Sequence, residues 1–304
     1  MTKKTIFLSL SMLNIFFSVD GQEKTLPILD MHLHAFSTRD AEELLHVKDY
    51  KVSQSEYESL TMAELSKHNI IAYASGPHEV VKKWQASDPS RIKPGIIAMH
   101  PDELNIDSLR KWHKEGTLDV IGEIAVQYSG FVPDDPKMEP IWKLAQELDI
   151  PLALHMGIGP PNAAYAGFPK YRASNGKPLL LENILIKYPK VRVYIMHAGW
   201  PFLDEMIALL HFHHQVYVDL GIIDWGLPKN NFNQYLKSLI DAGFSDRIMF
   251  GSDQMYWPGA ITTAVESIEK ADFLTKEQKR DILYNNAAKF LRLSREEIAK
   301  HHGK

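Results

Sequence analysis

Five short stretches of the chain end in side chains that bind divalent metals: Asp30-Met31-His32-Leu33-His34, Gly122-Glu123, Leu154-His155, Met196-His197 and Ser252-Asp253. The 304 residues include no cysteine, so a metal centre must be built from imidazoles and carboxylates. That donor set suits Zn2+ first and admits Mn2+, Fe2+ or Co2+. Each stretch closes an apolar run, where an unpaired histidine or acid costs desolvation energy that a shared cation removes. Taken alone, a His-x-His pair or a strand-end histidine reads as ordinary core packing. Its recurrence along the chain does not, and it nominates His32, His34, Glu123, His155, His197 and Asp253 as ligands of one or two ions. Glu123 has two further readings, as a group that orients a ligand histidine or as the partner of a nearby cation.

Side chains alternate along a strand, which places Asp30, His32 and His34 on one face and Met31 and Leu33 on the other. By the same rule His155 shares a face with Ala153, His197 with Val193 and Ile195, and Asp253 with Gly251.

Strands are predicted at 28–32, 70–74, 95–99, 120–124, 151–155, 191–197, 216–220 and 248–251. Between them lie amphipathic stretches at 57–67, 79–86, 106–115, 138–148, 179–187, 203–212, 232–242 and 260–270. Such alternation predicts a parallel sheet with helices outside it. Eight repeats, with no Gly-x-Gly-x-x-Gly after the first strand, favour a closed (β/α)8 TIM barrel over an open doubly wound sheet. One α/β domain over residues 22–304 is the economical reading, and its strand ends would bring the candidate ligands to one rim.

The connection at 156–176 is longer than usual for a barrel, and long rim loops shape substrate pockets. On it and near it, Tyr165, Arg172, Trp200, Gln254 and Trp257 are candidate substrate contacts, with Arg172 offering a fork for a carboxylate. His78, His100, Gln127, Tyr128, Tyr171 and Trp225 also fall near the rim, and Asp219 is placed to orient a ligand. The remaining histidines, His46 and His68 among them, fall on helices or tails and read as solvated or packing groups.

A formal charge of -4 and a pI near 6.4 supply no broad basic surface. That balance argues against a nucleic-acid partner and leaves small neutral or anionic molecules as substrates. Lys3 and Lys4, the apolar stretch 6–19 and the small residues near 19–21 read as a signal peptide over 1–21, leaving Gln22 at the N-terminus after export to a periplasmic or extracellular space. The apolar stretch is shorter than the roughly 18 residues of a membrane span, so no stable insertion is expected. Without a cysteine at the cleavage point, a bacterial lipid anchor is not expected either. The sequence is compatible with a homo-oligomer.

These residues resemble the amidohydrolase superfamily, in its amidohydrolase-related branch. The likeness rests on Asp30-Met31-His32-Leu33-His34, His155, His197 and Gly251-Ser252-Asp253, and it extends to the ending at 285–293. It implies that His32, His34, His155 and Asp253 hold the principal metal, with His197 serving a second ion or polarising the substrate. Two-metal members often carry a carboxylated lysine at the fourth strand. Glu123 stands there in this chain, which resembles the deoxyribonuclease-like members that use a glutamate.

The branch resembles a collection of hydrolases, lactonases and nonoxidative decarboxylases. The expected reaction is hydrolysis of an ester, lactone or amide by metal-activated water, with Asp253 as base and His197 polarising the carbonyl. The alternative is nonoxidative decarboxylation of an aromatic or unsaturated acid, with Asp253 or His197 protonating carbon. Phosphodiester cleavage and a barrel that keeps metal for stability alone are weaker readings.

Overall fold

The computed structural model describes residues 25–38 and 52–304. The expected signal peptide and His46 lie outside the described residues. Eight strands follow one another: β1 (Ile28–His34), β2 (Ile70–Ser75), β3 (Ile92–Pro94), β4 (Ile121–Ile124), β5 (Leu152–His155), β6 (Val193–Met196), β7 (Val216–Asp219) and β8 (Ile248–Met249). Neighbours pair in parallel and in chain order, as one run from β1 to β3 and another from β4 to β8.

Two seams join the runs. Ala98 N–H donates to Glu123 O (2.9 Å) and Ala125 N–H to Ala98 O (2.8 Å), while Met31 N–H donates to Phe250 O (2.9 Å) and His34 N–H to Gln254 O (3.0 Å). The sheet therefore closes on itself, as eight strand-helix repeats predict. Helices such as Gln54–Lys67, Ile106–Lys114, Glu139–Leu148 and Leu203–Phe212 return the chain from one strand to the next. Their starts are written locally: Ser53 accepts from Glu56 N–H and Asn105 from Ser108 N–H, each satisfying a donor the first turn leaves free.

Burial separates two layers. Ile28, Leu33, Leu152, Leu154, Val193, Ile195 and Val218 face the helices in one apolar cluster. Leu29, Met31, Tyr73, Ala153, Tyr194, Met196 and Met249 fill the barrel interior, and Tyr284, Ala287 and Phe290 from the C-terminal segment pack against them. Asn286 ties that segment down by donating to Ser245 O and Ile248 O, both at 2.8 Å. Hydrocarbon thus fills the barrel interior below the C-terminal strand ends, where the candidate ligands gather.

Three expectations need correction. The third strand is Ile92–Pro94, ahead of the expected 95–99; beyond it the chain runs on as a connection that still donates to both neighbours, Gly95 N–H to Ala74 O and Ile96 N–H to Gly122 O, because both flanking strands continue past Pro94. Strict alternation also fails in β1. Met31 packs inside the barrel and Leu33 outside, because a bulge between Asp30 and Leu33 shifts the register.

That bulge brings both His32 and His34 into the site, while Asp30 turns to the backbone and accepts from His32 N–H (2.9 Å) and Ser252 N–H (3.0 Å). Burial raises its carboxyl to about 6 against those bonds. Likewise Val193 and Ile195 face the helices, not the face of His197. His197 enters the site because the chain turns there, with φ of 58° at His197 and 46° at Ala198.

Candidate metal centre

Six side chains from five strand ends meet at the rim: His32, His34, Glu123, His155, His197 and Asp253, all buried. Their ligand atoms form three overlapping groups within 4.8 Å: His32, His197 and Asp253; His32, His34 and Glu123; Glu123, His155 and His197. Glu123 is the hinge of the arrangement. Its Oε2 lies 3.1 Å from His34 Nε2 and 3.8 Å from His32 Nε2, while its Oε1 lies 2.5 Å from His155 Nδ1 and 3.9 Å from His197 Nε2. Asp253 Oδ1 sits 3.0 Å from His34 Nε2 and 3.4 Å from His32 Nε2, and its Oδ2 is 3.7 Å from His197 Nδ1. Two carboxylates are therefore interleaved with four imidazoles.

Two of these rings are engaged on one nitrogen by groups outside the cluster and turn the other toward it. His197 Nδ1 is 2.9 Å from Gly221 O; a carbonyl only accepts, so Nδ1 carries the proton and the Nε2 lone pair faces Glu123 and His155. His32 Nδ1 faces Asp219 at 3.3 Å, and its buried Nε2 makes no hydrogen bond. A histidine that donates one ring N–H to a carboxylate or carbonyl and presents the other nitrogen to the site is the usual form of a metal ligand. The donor set fits a divalent ion.

The charges agree with the geometry. Burial opposes charge on His32, but Asp253 and Asp219 outweigh it and hold the imidazole well above its ordinary value; His34 is raised by Asp253 and Glu123 in the same way. Burial also opposes ionisation of Glu123 and Asp253, yet the surrounding imidazoles keep Glu123 well below the carboxylate range and lower Asp253. Burial and the neighbouring His155 push His197 down to about 4.

Asp219 ties these elements together. Its Oδ1 accepts from His197 N–H (3.1 Å) and Gly221 N–H (2.9 Å) while the carboxylate faces His32. Asp219→Asn is expected to weaken metal affinity about 10- to 100-fold, read by competition with a chelator. Gly251 packs so closely that a methyl there would meet His32 Cβ at 2.7 Å and Asp219 Cγ at 3.2 Å. Gly251→Ala should therefore displace His32 and lower metal affinity by about as much, roughly 10-fold or more, and full retention in the same competition would show that His32 is not a needed ligand.

A cavity of about 380 Å³ opens directly onto His34, Glu123, His155, His197 and Asp253. Trp200 lines it, but Tyr165 projects into solvent at 91 % exposure, and Trp257 contacts Trp225 and Tyr256 at its margin. Arg172 donates to Pro169 O and Tyr171 O and does not line the cavity. Gln254 is wholly buried, and its carbonyl holds His34 N–H.

Of the other rim residues, Gln127 donates to His155 O (2.8 Å), His100 caps a turn through Asp102 N–H, and His78 stacks on Trp112. Phe36, Ile97, Met99, Phe168 and Met255 line the cavity without having been singled out, although most lie within a few residues of a strand end. Buried Asp224, whose carboxyl is raised by burial and by Asp30, carried no sequence signal.

A second cavity of about 480 Å³ lies at the opposite end of the barrel, among Arg91, Lys93, Asp119, Arg192 and Lys300. None of the six site residues reaches it, and parallel barrels do their chemistry at the C-terminal strand ends. No helix among the described residues is long and apolar enough to cross a membrane.

Comparison with known proteins agrees with this geometry. A TIM-barrel protein from Bordetella bronchiseptica superposes with a TM-score of 0.66 at 17% identity, over 88% of this chain and 99% of that one. A probable 2-pyrone-4,6-dicarboxylic acid hydrolase from Acinetobacter baumannii, with citric acid bound, gives 0.61 at 16% identity over 88% and 99%. A dihydroxybenzoic acid decarboxylase from Polaromonas, with bound manganese and the inhibitor 2-nitroresorcinol, gives 0.61 at 17% identity over 90% and 98%. Protein fluG of Emericella nidulans is 21% identical over 159 residues, which is 47% of this chain and 18% of that protein, so the chain spans less than a fifth of that relative's length. The amidohydrolase family matches residues 29–293, from β1 to the segment that plugs the barrel, and the chain belongs to that family.

Proposed function

We propose that the protein is a metal-dependent hydrolase of a small organic substrate, acting on an ester, lactone or amide bond. The observation that carries this reading is the opening of the cavity onto one side of the His and carboxylate cluster. A structural zinc site has a closed shell, whereas a catalytic one keeps a position for water and substrate. Members of the family usually depend on metal, and the donor set is best suited to Zn2+.

Glu123 supports a pair of ions in place of one, since its two oxygens face different histidines. His32, His34 and Asp253 would hold the first and His155 and His197 the second. A divalent ion in such a site lowers the pKa of water from ~15.7 toward 7 and polarises a carbonyl. The rest falls to the chain. Asp253, whose carboxylate lines the cavity, takes the proton from the attacking water and delivers it to the leaving group. Ring contacts among His32, His34, His155 and His197, and the bonds that His197 donates to Asp219 and Gly221 O, keep the cluster in register as charge moves.

Decarboxylation is the competing chemistry, because solved structures of similar fold include decarboxylases. The placement of Arg172 outside the cavity favours hydrolysis, since that guanidinium was the chain's candidate clamp for a carboxylate. Assay of the metal-loaded protein against esters, lactones, amides and aromatic acids decides between them. Acid or alcohol release is expected, and carbon dioxide release without hydrolysis would replace this reading by its rival.

A further inference from the structure

Beyond the metal centre, the cavity wall is mostly hydrocarbon and aromatic. Phe36 stacks on the His34 ring with centroids 4.7 Å apart and on Tyr256 at 5.6 Å, so an apolar face begins directly against a ligand imidazole. On the same cavity, Phe168 from the long 156–176 connection meets Tyr128 edge-on at 4.8 Å, and Tyr128 meets His155 at 5.3 Å. Ile158, Trp200 and Met255 complete the surround.

The carboxylates lining this space are Glu123 and Asp253, both part of the centre. An anionic substituent pushed away from the metal would lose its water against Phe36, Phe168 and Ile158, and among the described residues no lysine or arginine lines the cavity. A buried charge without a partner is among the costlier placements in a protein. A ring or branched hydrocarbon there gains what the anion loses.

We propose that this site selects uncharged substrates, whose apolar ring or acyl portion lies between Phe36 and Phe168 while a single carbonyl faces Glu123, His155, His197 and Asp253. The inference rests on the hydrolase reading of the same centre. It adds the class of molecule: neutral aryl or branched-acyl esters and lactones, without a second acidic group distal to the reacting carbonyl. Tyr128, which packs against His155 and Phe168, brings a neutral hydrogen-bonding group to this lining.

Two matched pairs test it in the metal-loaded full chain. The first is 4-methylphenyl acetate against 4-carboxyphenyl acetate, compared as kcat/KM after correction for their rates with hydroxide. The second pair cannot be hydrolysed: 4-methylacetophenone against 4-acetylbenzoate, compared as Kd by calorimetry. The neutral member is expected to bind about 100-fold more tightly in the second pair and to be preferred by a similar factor in the first. Phe168→Arg places a cation on the wall and should shrink both preferences about 10-fold or more.

Equal or tighter binding of 4-acetylbenzoate, or no binding of either ketone, overturns the inference whether or not an ester is cleaved. Preferred binding of the neutral ketone with neither ester turned over leaves the selectivity standing and removes the hydrolase reading. An arginine at position 168 that moves neither ratio overturns the assignment of that wall.

Discussion

Replacing Asp253 with asparagine is expected to leave much of the metal bound while lowering turnover by roughly 10²- to 10⁴-fold, the range of a lost general base. The carboxylate has two tasks that the amide separates. Oδ1 faces His34 and His32, where an amide oxygen still offers a lone pair to a cation. Oδ2 lies 3.7 Å from His197 Nδ1, away from the two histidines that Oδ1 meets, and proton transfer requires a group that titrates. Side by side, metal content and kcat read the two tasks. Retained turnover in the variant would remove Asp253 as the base, and joint loss of metal and activity would make it a ligand before anything else.

Glu123→Gln should act in the opposite order, on metal first. An amide retains one acceptor and converts the other to a donor, so it cannot face two groups of histidines with lone pairs. Oε1 against His155 at 2.5 Å and Oε2 against His34 at 3.1 Å are the contacts that change. With a bridged pair, stoichiometry is expected to fall from about two ions per chain to about one, with affinity for the remaining ion down about 10- to 100-fold. An unchanged stoichiometry would place Glu123 outside the ligand set, as a group that merely holds His155.

Much of this centre is legible in the sequence because the barrel is. Apolar runs ending in His155 and Glu123, with helical stretches between, follow from periods of two and 3.6 residues that survive without any knowledge of tertiary contacts. What alternation misjudges is the approach to the site. His32 and His34 reach it through a bulge after Asp30, and His197 through a left-handed turn; both are local departures from a regular strand, and no period records them. The third strand shows the same limit, since its regular part ends at Pro94 while the chain still runs along the barrel wall to Ala98.

The cavity wall was less readable than the ligands. Tyr165 and Trp257 carry the right chemistry on the right loops and still point elsewhere, whereas Phe36 packs between His34 and Tyr256 and Phe168 against Tyr128 on the cavity wall. Orientation on a loop depends on contacts the sequence does not order. Asp224 goes further: a buried acid on the short helix Ile223–Gly226 has no pattern of its own.

The most direct test of the account is the metal content of the protein purified without added ions, measured by elemental analysis before and after dialysis against a chelator and again after reloading. The account predicts about two divalent ions per chain, most readily zinc, whose removal abolishes hydrolysis and whose return restores it. Protein that carries no ion, takes none up at micromolar concentrations and loses nothing to the chelator would contradict it.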